Sequence, residues 1–174
     1  MKKILLSIFA VFCISTFATA QKISYQGEVL LGYSVGVGDE PIDRIPLHIV
    51  NGVRFNDYLS MGIGVGIEYW CYFKGFMEHS TYTIPVYANI KGYLPVTERV
   101  SPFVGLDLGY GIGAGEFNAF GGFLATPVVG VSFGVKRNFA INLSVGYAYQ
   151  KMSEGTILND ASANGLTIKV GFQF

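Results

Sequence analysis

Glu78, His79 and Ser80 stand side by side in FMEHST (76–81), offering an orienting carboxylate, a base and a nucleophile to hydrolytic chemistry. Adjacent side chains rarely present such groups to one another, and exposed polar loops hold these residue types in any case, so no catalytic role is expected of them. His48, in HIV (48–50), alternates onto the face of a strand opposite its large apolar residues, where a hydrogen-bonded interior imidazole is expected rather than a ligand. Cys71 reads as a small packed hydrophobe near a strand end. Gly62, Gly64 and Gly66 recur at strand period and not in the turn of a dinucleotide site, and no metal-ligand spacing occurs. The expectation is a non-enzymatic chain with no catalytic residue, no metal and no cofactor.

The constellation richest in chemistry is a set of six ionisable residues, Glu28, Arg54, Glu68, Lys91, Asp107 and Lys169. They are scattered along the chain, yet all fall on one parity of alternating segments. Three acids and three bases in one narrow interior must pair, because an unpaired buried charge is strongly disfavoured. Lys169 is expected to meet Glu28. Such a network is either a salt-bridge plug or the charged lining of a small conduit. An eight-stranded barrel is just wide enough to be filled by side chains, which favours the plug.

Alternation at period two recurs over 28–37, 47–55, 59–70, 82–91, 104–112, 128–135, 139–150 and 166–174, and no helical period of useful length interrupts it. These segments predict the strands that position the six charges. Pro85 is the weak point of the fourth, since proline cannot donate to a ladder. Links near 56–57, 96–99 and 136–138 are short, whereas those near 39–44, 74–81, 114–122 and 151–164 are longer. Tight turns therefore gather at one end and loops at the other.

Ahead of these segments lies MKKILLSIFAVFCISTFATA (1–20), with a positive start, an apolar middle too short for a confident span of about 20 residues, and an A-x-A end. It reads as a secretory signal cleaved between Ala20 and Gln21, leaving 21–174 as one domain. Bulky Phe12 before Cys13 argues against a lipoprotein. Only Cys71 then remains, so no internal disulfide framework is available. No basic run or stripe provides a footprint for nucleic acid.

The two faces of the strands differ enough to say which one is outside. Hydrophobic residues make up 51% of the chain and charged residues 14%, against roughly 25% charged in an average soluble domain. Large apolar side chains crowd one parity in numbers that a small barrel interior cannot hold, while glycines such as Gly32, Gly62, Gly109 and Gly146 gather on the other. The six charges share the glycine parity. A lipid-facing Arg or Lys at the midplane costs about 2–4 kcal/mol, so the large face is the one expected to meet lipid. Tyr69, Tyr82, Tyr110, Tyr147 and Tyr149 fall at loop-side strand ends, and Phe55, Phe133, Phe139, Phe172 and Phe174 at turn-side ends, as two interfacial girdles would. The fold predicted is an all-β, eight-stranded, antiparallel up-and-down transmembrane β-barrel.

NGVRFNDYLSMGIGVGIEYW (51–70), IPVYANIKGYLP (84–95) and the terminal VGFQF (170–174), together with the signal segment, resemble the porin-family outer membrane protein β-barrel domain. The chain is similar in architecture to the small OmpA/OmpX-type barrels, over its whole length beyond residue 20. The resemblance implies a home in the outer membrane of a Gram-negative envelope, with periplasmic termini and longer loops outside. It further implies that Val170, Phe172 and Phe174 form the C-terminal signal read by the barrel-assembly machinery. The bilayer and that machinery are the expected partners, with a surface ligand reachable through the loops and the barrel itself monomeric. Three functions follow in order: a structural or surface-interaction role like that of OmpX, a small porin, and a lipid-modifying enzyme. No stretch matches the lipid A deacylase or palmitoyltransferase barrels, and loops of about a dozen residues at most offer no large adhesive surface.

Overall fold

The computed structural model describes residues 23–38, 41–71, 81–114, 121–136, 139–151 and 162–174. The segment 1–20 with its junction at Ala20 and Gln21, the Glu78-His79-Ser80 trio and most of the longer connections lie outside the described residues. Alternating side chains build eight strands: β1 (Ser24–Val37), β2 (Asp43–Arg54), β3 (Leu59–Cys71), β4 (Thr81–Tyr93), β5 (Val100–Ala114), β6 (Gly122–Lys136), β7 (Phe139–Lys151) and β8 (Ser162–Gln173). Each pairs antiparallel with the next, and β8 returns to β1, closing the barrel. That seam runs from Val37 opposite Asn164 to Glu28 opposite Gln173, and Gly27 and Phe174 exchange backbone bonds of 2.7 and 2.8 Å beyond it. Closure leaves no sheet edge, which is what a strand structure needs where no water can satisfy backbone groups.

Register is locked by the inequality of the two faces, because a slip of one residue would turn every large side chain inward. The strands hold that register even across prolines. Pairing of β1 with β2 skips from Leu31–Leu47 to Ser34–Arg44 around Pro46, that of β3 with β4 from Val65–Val86 to Glu68–Thr83 around Pro85, and that of β6 with β7 from Ala125–Tyr149 to Val128–Gly146 around Pro127. Each proline removes a ladder donor and leaves a local gap. Flanking pairs keep the same alignment on both sides. Pro85 therefore weakens one ladder without ending β4.

Several strands extend past the alternation in the sequence. β1 begins at Ser24 rather than Glu28, β6 at Gly122 rather than Val128, and β2 at Asp43 rather than Leu47. The last difference matters most, because it moves Arg44 from an expected loop into the barrel wall.

Glycines on the inner face make room for rings arriving from the neighbouring strand. A Cβ built on Gly64 would lie 2.2 Å from Cζ of Tyr87, a ring that is itself buried and hydrogen-bonded to His48. Gly64→Ala is expected to destabilise the barrel by about 1–3 kcal/mol through overpacking, measured by urea unfolding in lipid vesicles. Gly92→Ala is the control, since its Cβ would meet nothing nearer than 3.8 Å. Equal stability of the two variants would contradict the close fit of Tyr87 over β3.

Candidate functional site

The lumen is where the chemistry-bearing side chains converge, and it is stacked in layers. Toward the end carrying the longer connections, Arg44 of β2 reaches Glu68 of β3 at 3.3 Å, and the other carboxylate oxygen of Glu68 lies 3.3 Å from Nε2 of His48. His48 Nδ1 is 3.0 Å from the hydroxyl of Tyr87 on β4. Arg44 also donates to Gln150 Oε1 at 3.2 Å and to the carbonyl of Ala148 at 3.4 Å, with its guanidinium 4.8 Å from the centre of the Trp70 ring. Trp70 packs with Ala163 and Ile42 at this end of the lumen.

Two more ion pairs cross the middle. Lys169 of β8 donates to Asp107 of β5 at 3.4 Å, and Asp107 also accepts from Asn89 at 2.5 Å. Lys91 of β4 donates to Glu28 of β1, whose second oxygen accepts from Asn142 at 2.6 Å. All four charged groups are buried, and each is held by a group on another wall of the barrel. Near the turns, Tyr93, Phe103 and Val128 form an apolar cluster, and Gln26 donates to the Tyr93 hydroxyl at 3.1 Å.

The six charges expected in the lumen are thus distributed unevenly. Glu28, Lys91, Asp107, Lys169 and Glu68 all take part in ion pairs, but Lys169 meets Asp107 and not Glu28. Among the described residues Arg54 is not one of the ion-paired groups. Its guanidinium donates to the carbonyls of Asn56 and Asp57 in the β2–β3 turn, at 3.1 and 2.9 Å, and lies 4.4 Å over the Tyr93 ring. A strand-end arginine can satisfy the turn it borders. Arg44 supplies the third pair instead, and the polar run GDEPIDR hid it as loop. His48 is interior and hydrogen-bonded, and Cys71 is half-buried with a free thiol.

Outside, the arrangement is inverted. Ile63, Ile168 and Val104 are 68%, 63% and 61% exposed, and large apolar residues continue around every strand. Tyr69 meets Tyr82 at one end, with ring centres 5.4 Å apart, and Phe139 stacks on Phe172 at the other at 6.4 Å. A polar, charge-paired inside and an apolar outside with aromatic ends suit a barrel dissolved in lipid. The chain has the fold of the small outer-membrane barrels.

No family model and no curated protein matches the sequence. Among solved structures, Neisserial surface protein A is 15% identical and superposes with a TM-score of 0.65 over 87% of this chain and 99% of that one. The outer membrane protein OprG of Pseudomonas aeruginosa is 10% identical, with a TM-score of 0.54 over 86% of this chain and 95% of its own. The outer membrane enzyme PagL is also 10% identical at 0.54, over 83% and 97%. An enzyme and a surface protein share this outer-membrane barrel fold, so chemistry has to be argued from side chains. Among the described residues, no group of three or more His, Cys, Asp or Glu could hold a metal ion.

Proposed function

We propose that this chain is a non-enzymatic integral protein of a Gram-negative outer membrane, in which a plugged barrel serves as anchor and the longer connections act at the cell surface. The observation that carries this reading is the lumen, where three buried ion pairs and their amide partners join its walls and aromatic clusters pack toward each end. Charges so paired and buried support a plug over a catalytic site or a conduit. The name of the Neisserial surface protein, whose fold this chain shares, is consistent with the same reading.

On this reading residues 1–20 are removed before Gln21, the turns and termini face the periplasm, and the barrel is monomeric. Val170, Phe172 and Phe174, all on the outer face of the closing strand, present the strand to the assembly machinery. The interaction test replaces 74–80 and 152–161 by short Gly-Ser links and measures adhesion and ligand binding by cells. Loss of binding with a barrel that still folds is expected.

Conductance separates the plug from the small porin. Purified protein in a planar bilayer is expected to give no stable open level, because passage requires breaking buried ion pairs. Reproducible channels of fixed size would sink the plug. A lipid-modifying enzyme would instead leave an altered lipid A or phospholipid profile when the gene is removed, and an unchanged profile is expected.

A further inference from the structure

Between the Arg44–Glu68–His48 layer and the Asp107–Lys169 layer lies a polar cavity of about 10 Å³, whose wall is these five residues together with further polar groups, Thr126 and Gln150 among them, and the apolar Pro85 and Leu124. That volume is close to the space of one water, which also needs two to four polar partners. Two lining residues carry buried nitrogens with no hydrogen-bond partner, Nε of Arg44 and Nε2 of His48. Arg44 and His48 are 2% and 3% exposed, so bulk solvent does not satisfy them. His48 Nε2 is 3.3 Å from Glu68 but lacks the alignment of a hydrogen bond. The Glu68 carboxylate beside Nε2 favours the tautomer with the ring proton there; Nδ1 then accepts from the Tyr87 hydroxyl, and both orphan nitrogens are donors.

The cavity therefore holds two unanswered donors beside two carboxylates, Glu68 and Asp107, that have lone pairs to spare. A cation there would face Arg44 and Lys169, and an anion would face Glu68 and Asp107. A neutral molecule that accepts two hydrogen bonds and donates two fits all four. We propose that this cavity is the binding site of one structural water, accepting from Arg44 Nε and His48 Nε2 and donating to Glu68 and Asp107. The water joins the loop-end and mid-lumen ion pairs into one network. The inference deepens the plug and rests on it, but says nothing of a surface role.

The test is a crystal structure of the full chain at a resolution that shows ordered waters, paired with NMR of the protein in nanodiscs. One density peak within hydrogen-bonding distance of both nitrogens is expected, together with magnetisation transfer from water to the His48 Nε2 proton. An empty cavity, a side chain filling it, or an ion identified by its anomalous signal would overturn the water. A non-conducting barrel with an empty cavity refutes the water and leaves the plug standing. Open channels refute the plug whatever the density shows.

Discussion

Glu28→Leu is expected to destabilise the folded barrel by about 3–5 kcal/mol, the cost of leaving a buried charge without its partner. The Glu28 and Lys91 side chains are 1% and 4% exposed, so neither can recover hydration in place. Removing the carboxylate also takes an acceptor from Asn142, which keeps a weaker contact to Gln173 at 3.2 Å. Lys91 would keep the face of the Phe103 ring, 5.1 Å away, but lose the carboxylate it is hydrogen-bonded to. The double variant Glu28→Leu with Lys91→Leu should recover most of the loss, because replacing a whole buried pair by apolar groups is often near neutral. Urea unfolding of all three proteins in vesicles decides it. If the double variant is as unstable as the sum of the singles, the pair is not the unit of stability here.

Val65→Arg on β3 should cost about 2–4 kcal/mol if the outer face meets lipid, since the charge then sits near the midplane. Val65 lies between Ile49 and Val86 on the neighbouring strands, at the centre of the apolar band, and is 45% exposed. Tyr58→Arg provides the comparison by depth. Tyr58 lies in the β2–β3 turn at 61% exposure, where an arginine should cost about 0–1 kcal/mol. A barrel standing in water would treat both as surface changes, within about 0.5 kcal/mol of wild type. Equal, small effects at the two positions, measured in vesicles, would remove the case for a lipid-facing surface.

The difference between Arg44 and Arg54 illustrates how far a linear reading reaches into the lumen. Both side chains have the inward parity, but Pro41, Asp43 and Pro46 break the apolar beat around Arg44, so only pairing with Trp70 on β3 reveals it as strand. Arg54 keeps perfect alternation and still spends its donors on its own turn. Lys169 and Glu28 sit on adjacent strands, which made them natural partners. In register, however, Lys169 faces Gly32 while Glu28 faces Gln173. That places them four residues apart along the seam, about 13 Å at the rise of a strand. Each finds its partner across the lumen instead.

The order of residues by itself determined the strand number and which face is apolar, because side-chain parity in a strand is strictly two and one face is far larger than the other. It also determined that the mid-strand charges would lie inside, since away from the strand ends, where Asp43 and Lys151 have the outer parity, only one parity carries them. Tertiary structure alone decided who pairs with whom. Closing eight strands requires a stagger between neighbours, and that stagger sets the height at which each side chain enters the lumen. Lys91 met Glu28, Lys169 met Asp107 and Arg44 met Glu68 because those groups arrived within reach on facing or neighbouring walls.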